Sequence, residues 1–188
     1  MYTTSDLRKG LKLELDDEPW LITDFDFMKP GKGQAIYRCK LKNMLDGRTM
    51  ERSWRSNDRF NKPDLREREY IYAYYDGSNY IFSDNETYEE VIIGEKTLGD
   101  QVNFLVENAE CTILFFRETP IEVTLPVFIE KEVTETEPGV RGDTATNVTK
   151  PAKIETGYEL QVPLFINQGD TIKIDTRNGE YVERVSKG

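Results

Sequence analysis

Histidine is absent from the 188 residues of this chain. Its absence removes the Ser-His-Asp and Cys-His pairs of nucleophilic catalysis, histidine-ligated zinc, and the side chain that most often serves as a general base near neutral pH. Carboxylates are plentiful, but the sequence places no pair of them in the apolar surroundings that would raise the pKa of one partner. We therefore expect no enzymatic activity, no metal site and no cofactor.

Cysteine is scarce, and long apolar runs are missing. Cys39 and Cys111 are far apart, and each lies in an alternating apolar run, which favours buried thiols over a disulfide or a metal site. No run approaches the ~20 apolar residues that a membrane-spanning helix needs. The first residues also lack the basic and apolar regions of a signal peptide, so we expect a cytoplasmic protein without membrane contact.

Basic residues are in the minority, with 25 lysines and arginines against 35 aspartates and glutamates, for a net charge of −10. Their distribution is uneven. The segment 28–62 has ten basic and three acidic residues, whereas the segment 64–126 has four basic and fourteen acidic residues. Because phosphate contacts depend on local lysines and arginines, the first of these segments is predicted to meet nucleic acid. The acidic segment would repel a polyanion or meet a basic protein surface.

Apolar and polar residues alternate along most of the chain, and turn signals recur between the alternating runs. This pattern predicts an all-β protein made of small antiparallel barrels or sandwiches. The clearest turn signals are Asp46-Gly47, Asp76-Gly77, Pro138-Gly139 and Asn178-Gly179. One helix is predicted from about Leu98 to Asn108, where apolar residues recur at helical spacing.

Charge and composition divide the chain into thirds. We predict three domains, over residues 1–63, 64–126 and 127–188. The junctions between them contain Pro63 and Pro126 and lack the glycine and serine of flexible linkers. We therefore expect a fairly rigid, elongated arrangement.

The segment most informative about function is a predicted hairpin turn. Residues 20–27 are predicted to form one strand, and residues 35–41 a second strand with one basic face. Leu21, Thr23, Phe25 and Phe27 are predicted to lie on one face of the first strand. Between the strands, Pro30 presets φ for a turn, and the glycines on either side of Lys32 permit positive φ or close backbone approach. Lys32 is therefore predicted at the tip, where a lysine can reach a partner or be modified.

This tip and several later segments resemble bacterial elongation factor P, over residues 7–185. Four groups of short motifs, in the family's order, carry the resemblance. They are Lys29-Pro30-Gly31-Lys32-Gly33-Gln34-Ala35; Tyr70-Ile71-Tyr72 with Asp84-Asn85-Glu86-Thr87; Pro138-Gly139-Val140-Arg141-Gly142-Asp143-Thr144; and Val162-Pro163-Leu164-Phe165-Ile166 with Gly179-Glu180-Tyr181-Val182-Glu183-Arg184. Each motif alone is weak, and the specificity comes from their joint occurrence.

The resemblance implies an N-terminal SH3-like (KOW-like) barrel followed by two OB-fold barrels, in an elongated L shape about the size of a tRNA. It implies a non-enzymatic translation elongation factor that binds the ribosome beside the peptidyl-tRNA. There the factor would stimulate peptide bond formation and relieve stalling at consecutive prolines. A monomer is expected.

The resemblance also implies roles for particular residues. Lys32, supported by Pro30, Gly31 and Gly33, would be the functional tip, and a modifying enzyme would extend it with a lysyl-type group. The candidates for contact with tRNA or ribosome are Lys29, Arg38, Lys40, Lys42, Arg55, Gly142, Asp143, Thr144, Tyr181 and Arg184. Of these, the triplet 142–144 would contact the exit-site codon region, and the last two residues would lie near the elbow of the peptidyl-tRNA.

Two other functions stay open. A general single-stranded RNA-binding protein made of OB barrels would stack bases on exposed aromatic rings. The candidate rings are Tyr70, Tyr72, Tyr74 and Tyr80. They lie in the acidic segment, which disfavours this function. The second alternative is the elongation-factor-P-like paralogue, against which the Pro-Gly-Lys-Gly tip and the triplet 142–144 argue.

Overall fold

Strands dominate the structure, as the alternating pattern predicts. The computed structural model describes residues 1–139 and 148–188. The chain divides into two compact units, Met1–Glu67 with Leu114–Ile121 and Arg68–Ile113 with Glu122–Gly188. The all-β prediction is confirmed, whereas the two predicted boundaries between the three domains stay a prediction.

The N-terminal part of the chain forms a four-stranded antiparallel sheet and a small two-stranded ribbon. Its strands are β1 (Tyr2–Thr3), β2 (Lys12–Leu15), β3 (Glu18–Met28), β4 (Ile36–Asn43), β5 (Thr49–Arg55) and β6 (Arg59–Phe60). The sheet runs β2-β3-β4-β5, and β1 pairs with β6. A 3-10 helix (Thr4–Asp6) follows β1. The core that these elements enclose consists of Leu7, Leu11, Leu13, Trp20, Ile22, Cys39, Leu41 and Phe60.

Contrary to the prediction, Leu21, Thr23, Phe25 and Phe27 do not all share one face of β3. Trp20 and Ile22 are buried, and Thr23 is the residue at which the pairing register of β3 with β4 shifts. Such a bulge adds one residue to one strand and so changes which side chains face the core. Beyond the bulge, Phe25 and Phe27 share a face as predicted, opposite Cys39 and Tyr37. Phe25 packs against the core, whereas 49% of Phe27 is exposed. The prediction was wrong before the bulge because strict alternation cannot anticipate the extra residue.

Five strands and two short helical segments follow. They are β7 (Leu65–Tyr75), β8 (Tyr80–Asp84), β9 (Glu90–Ile93), an α-helix α1 (Glu95–Leu98), a 3-10 helix (Gly99–Phe104), β10 (Glu110–Phe116) and β11 (Thr119–Thr124). The strand order in their sheet is β11-β10-β7-β8-β9.

The predicted single helix is replaced by these two shorter segments. The α-helix ends at Leu98 because Gly99 has φ 57° and ψ −136°, a conformation outside the helical region. The 3-10 turns that follow end at Phe104, and Asn108 has φ 66°. The apolar stripe was still informative, since Leu98 and Leu105 are buried as helical spacing predicts.

The C-terminal part of the chain forms a second five-stranded antiparallel sheet. Its strands are β12 (Phe128–Thr136), β13 (Thr149–Ile154), β14 (Glu159–Pro163), β15 (Thr171–Asp175) and β16 (Glu180–Ser186), in the order β14-β13-β12-β15-β16. Inward residues such as Val133, Ile154 and Ile172 are fully buried, and polar residues alternate with them.

Both cysteines are buried and unbridged. Burial raises the pKa of the Cys39 thiol and of the Cys111 thiol to about 11, because a thiolate would be poorly solvated there. The prediction of buried thiols is confirmed.

Within the second unit, the 3-10 helix packs on loops of the C-terminal sheet. The rings of Phe104 and Tyr158 meet edge to face with centroids 4.9 Å apart. The Tyr158 hydroxyl donates to the Gly179 carbonyl at 3.1 Å, and the Thr156 hydroxyl donates to the Asn103 carbonyl at 3.1 Å. Gly179 has φ 75°, and a Cβ placed there would lie 2.3 Å from the Tyr158 hydroxyl oxygen. A side chain at this position would therefore force the aromatic pair apart.

We predict that Gly179→Ala destabilises the protein more than Gly77→Ala does. Both glycines have positive φ, which costs an L-residue about 1–2 kcal/mol. A Cβ at Gly77 meets no atom within 4 Å, whereas one at Gly179 must displace Tyr158 and adds about 1–3 kcal/mol of overpacking. Urea denaturation followed by circular dichroism would measure both losses. Equal losses would show that the Phe104–Tyr158 contact does not stabilise this region.

Candidate functional site

The candidate site is the loop between β3 and β4, which we call the tip loop (residues 29–35). The strand ladder continues up to the Met28–Ile36 pair, so the loop is carried at the end of a long hairpin. The Gly33 amide donates to the Pro30 carbonyl at 3.2 Å, which closes a turn with Gly31 and Lys32 at its centre. Residues 29–34 are all exposed. The prediction of an exposed lysine at a hairpin tip is confirmed.

The turn differs from the predicted one in detail. Pro30 is its first residue and not one of its two central residues. Neither Gly31 nor Gly33 has positive φ. A Cβ at Gly33 would lie 3.4 Å from two carbons of the Pro30 ring, so close approach is the relevant constraint there. A Cβ at Gly31 would meet no atom within 4 Å.

Aromatic side chains stiffen the hairpin below the tip loop. The Phe27 and Tyr37 rings lie opposite each other on β3 and β4, with centroids 5.1 Å apart. Tyr37 in turn faces Trp54 on β5, and the Trp54 ring meets the buried Phe60 ring edge to face at 4.7 Å. Aromatic cross-strand pairs of this kind stabilise a sheet beyond its backbone hydrogen bonds. A row of rings thus leads from the barrel core towards the tip.

A groove of about 430 Å³ lies at the base of the tip loop. It is lined by Lys29, Gly33, Gln34, Ala35, Arg55, Ser56, Asn57 and Asp58. The Arg55 guanidinium donates to the Gln34 side-chain oxygen at 3.2 Å, and the Arg55 amide donates to the Asp58 carboxylate at 2.9 Å. Arg55 therefore joins the tip loop to the end of β5 while its guanidinium stays exposed.

The predicted basic face of β4 exists, but carboxylates flank it. Arg38, Lys40 and Lys42 are exposed on the outward face of the strand. The Arg38 guanidinium lies 3.5 Å from the Glu51 carboxylate, and Lys40 is paired across the sheet with Asp24 and Glu51. These carboxylates offset the positive charge on the strand. The tip loop itself has Lys29 and Lys32 and no acidic residue, so positive charge is concentrated there.

The C-terminal candidates lie on β16. The Arg184 guanidinium lies 3.7 Å from the Asp170 carboxylate and 5.0 Å from the centre of the Phe165 ring. Tyr181 is half-buried, and burial raises its pKa above the ordinary value. Gly142, Asp143 and Thr144 lie outside the described residues.

Sequence reasoning did not single out Asp170, the residue that orients Arg184. Its side chain is buried, and burial alone would raise its pKa. The backbone amides of Asn167 and Gly188, which donate to it at 2.9 and 3.0 Å, and the nearby Arg184 charge outweigh burial and hold its pKa below the ordinary range. Nothing in the sequence around Asp170 showed which side chain its carboxylate would hold.

The tyrosines proposed for base stacking do not form one exposed platform. Tyr70 and Tyr72 are buried, with 4% and 8% of their surface exposed, whereas 45% of Tyr74 is exposed. Tyr80 is half-buried. Stacking of successive bases needs accessible ring faces, so this arrangement disfavours the RNA-binding alternative.

Neither a membrane-spanning helix nor a cluster of metal ligands occurs in the parts of the chain that the structure describes. No helix in residues 1–139 and 148–188 is long and apolar enough to cross a membrane. The same residues contain no group of three or more cysteine, aspartate or glutamate side chains placed to hold a metal ion.

Fold and tip together define a β protein of several small antiparallel sheets with a lysine displayed on a stiffened hairpin. Three domain families match the chain in succession. They are the Elongation factor P (EF-P) KOW-like domain over residues 3–60, the Elongation factor P (EF-P) OB domain over residues 65–123, and the Elongation factor P, C-terminal domain over residues 129–184.

Full-length relatives give the same result. The chain is 51% identical to elongation factor P of Desulfotalea psychrophila and 50% identical to that of Desulforapulum autotrophicum, with 100% of each chain covered. It is 50% identical to elongation factor P 2 of Geobacter sulfurreducens, over 98% of this chain and 99% of the relative. The chain therefore belongs to the elongation factor P family of translation elongation factors.

A solved structure supports the fold. Eukaryotic translation initiation factor 5A from Methanococcus jannaschii superimposes with a TM-score of 0.56 at 19% identity, over 66% of this chain and 93% of that structure. The fold expected from the resemblance, an SH3-like (KOW-like) barrel followed by OB-type barrels, is confirmed.

Proposed function

We propose that this protein binds the ribosome beside the peptidyl-tRNA and stimulates peptide bond formation where consecutive prolines stall synthesis. The observation that carries the proposal is the exposed Lys32 at the end of a stiffened hairpin, in a chain that belongs to a family of translation elongation factors. Proline is a poor substrate for the ribosome because its ring locks φ and restricts the approach of its nitrogen. A factor that corrects the geometry of the reacting groups would therefore suffice to relieve stalling.

Lys32 supplies the contact in this proposal. Its ammonium group is a compact charge on a flexible stem with three donors, suited to the phosphates and sugars of the tRNA CCA end. Orientation of bound reactants alone can lower a barrier by several kcal/mol, without proton transfer by the factor. The protein would act by positioning and not as an enzyme, which agrees with its lack of histidine.

The stiffness of the hairpin matters for this role. A mobile lysine would lose conformational entropy on binding, whereas the Phe27–Tyr37–Trp54 row limits the movement of the strands below the loop. Lys29 and Arg55, which line the groove at the base of the loop, would contact phosphates nearby. Arg38, Lys40 and Lys42 are weaker candidates, because carboxylates flank the outward face of β4.

Residues far from the tip loop in the sequence are proposed to make further contacts with the tRNA and the ribosome. Arg184, held by Asp170 and Phe165, and its neighbour Tyr181 would meet the elbow of the peptidyl-tRNA. Gly142, Asp143 and Thr144 would meet the exit-site codon region. The factor would act as a monomer in the cytoplasm.

A ribosome-bound positioning role predicts a selective effect of Lys32→Ala. Proline-rich synthesis should slow by at least about tenfold, which corresponds to about 1.4 kcal/mol of barrier, and a template without proline pairs should be unaffected. The fold should be unchanged, because substitutions of exposed residues usually shift stability by less than ~0.5 kcal/mol. A reconstituted translation system making either a triple-proline peptide or a proline-free peptide would measure both rates.

Two further variants sharpen this test. Lys32→Arg keeps the charge but removes a modifiable amine and changes the donor geometry, so it should rescue poorly. Lys187→Ala, which removes an exposed lysine near the other end of the chain, should behave as wild type. If Lys32→Ala equalled wild type on the triple-proline template, the role proposed for the tip would be wrong.

We also propose that Lys32 is extended by a lysyl-type group, added to its ε-amine by a modifying enzyme. A second amine at the end of the longer side chain would increase the reach of the cation. Protein purified from its native cells should therefore have the mass of one added lysyl residue on the peptide that contains Lys32. The peptide that contains Lys9 and Lys12 should have no added mass. Peptide mass spectrometry measures both, and an unmodified Lys32 would contradict the modification while leaving the positioning role to the unextended side chain.

A further inference from the structure

Three tyrosines of the second unit form a concave aromatic cluster, which we call the tyrosine cup (Tyr72, Tyr75 and Tyr80). The Tyr75 and Tyr80 ring centroids are 4.7 Å apart, and those of Tyr72 and Tyr80 are 6.4 Å apart. A register shift between Tyr72 and Tyr74 brings Tyr72 and Tyr75 to the same face of β7, although regular alternation would put them on opposite faces.

The cup is an open pocket of about 280 Å³. Besides the three tyrosines, its lining consists of Val102, Asn103, Leu105 and Thr156. Tyr75 is 52% exposed, yet its hydroxyl donates to the Gly77 carbonyl at 2.9 Å, which holds the ring in place. The volume is below that of most pockets for drug-sized ligands, so the cup suits a single side chain.

The electrostatics of the cup favour a cation. The aromatic faces are electron-rich, and the chain around them, residues 64–126, has fourteen acidic and four basic residues. Burial is the main cause that raises the pKa of the Tyr72 and Tyr80 hydroxyls. The neighbouring tyrosine comes next at each site, and then the negative charge of Glu107 at Tyr72 and of Glu95 at Tyr80. Among the described residues that line the cup, none is a lysine or an arginine.

We propose that the tyrosine cup binds an arginine side chain presented by a basic segment of a protein partner. A planar guanidinium can stack on Tyr75 and Tyr80 in the negative field that Glu95 and Glu107 contribute there, and it loses less hydration than an ammonium does. The phosphates of a nucleic acid would instead be repelled by those carboxylates. This inference goes beyond the proposed function, since it concerns a contact of the acidic middle segment and not the tip loop.

The test is an NMR titration of the isotope-labelled full-length protein with a short arginine-rich peptide. The control ligand is the same peptide with citrulline, the neutral analogue, in place of every arginine. The arginine peptide should shift the resonances of the cup residues, and the citrulline peptide should not. Tyr75→Leu should weaken binding by about three- to thirtyfold, because it removes one cation–π face. Tyr75→Phe keeps the ring face but loses the hydrogen bond to the Gly77 carbonyl, so its affinity should fall between those of Tyr75→Leu and wild type.

Matched variants distinguish binding at the cup from general attraction between opposite charges. Tyr74→Leu removes an exposed ring on the other face of β7 and should have no effect. Glu107→Gln should weaken binding more than Glu89→Gln does, although each removes one exposed carboxylate. Thermal melting would verify that all variants fold.

Several outcomes would overturn the proposal. Equal binding of the citrulline peptide, no shift at the cup, or an unchanged affinity of Tyr75→Leu would each show that the arginine peptide does not use the rings. An oligouridine strand that bound the cup more tightly than the peptide, and lost affinity in Tyr75→Leu, would identify a base-stacking site instead.

Discussion

The pairing of β3 with β4 is the constraint on which the candidate site depends. Trp20 and Ile22 bury one end of the hairpin in the N-terminal core, and the Phe27 and Tyr37 rings pack together, tilted, near the other end. The hairpin is thus held firmly at its base and stiffened along its length below the tip loop, in which residues 29–34 are exposed. The bulge at Thr23 shifts the pairing register between the two ends, so that apolar side chains face the core both before it, at Ile22, and after it, at Phe25.

Separation of charge is the second organising feature. Positive charge is concentrated in the tip loop, where no carboxylate accompanies Lys29 and Lys32, while the outward face of β4 is flanked by Asp24 and Glu51. The middle segment has the opposite charge and contains the tyrosine cup. The two proposals assign partners of opposite charge to these surfaces, a tRNA to the cationic tip and a basic protein segment to the tyrosine cup, and each surface disfavours the partner of the other.

Much of the fold and the main site residue could be predicted from the sequence. Alternation is a local signal, so the strands around Cys39 and Leu41 were recovered, and the Pro-Gly-Lys-Gly segment identified Lys32. Features that depend on the pairing register between strands could not be predicted from the sequence. The bulges at Thr23 and between Tyr72 and Tyr74 arise from pairing with another strand, and the positive φ of Gly99 interrupted a helix whose apolar spacing was correct. The partners of Arg38 and Arg184 likewise come from other strands or loops, which spacing along the chain cannot reveal.

The central claim is that the tip loop lies at the CCA end of the peptidyl-tRNA. Gly31→Cys offers a direct measurement, because a Cβ there meets no atom within 4 Å and the native thiols of Cys39 and Cys111 are buried and poorly ionised. An iron chelate attached to the new thiol would generate hydroxyl radicals on ribosomes stalled at consecutive prolines. The account predicts cleavage of the tRNA 3′ end from position 31, and none from the same chelate on Tyr88→Cys, an exposed site of the other unit. Cleavage elsewhere, or no cleavage above that control from a factor that still relieves stalling, would contradict it.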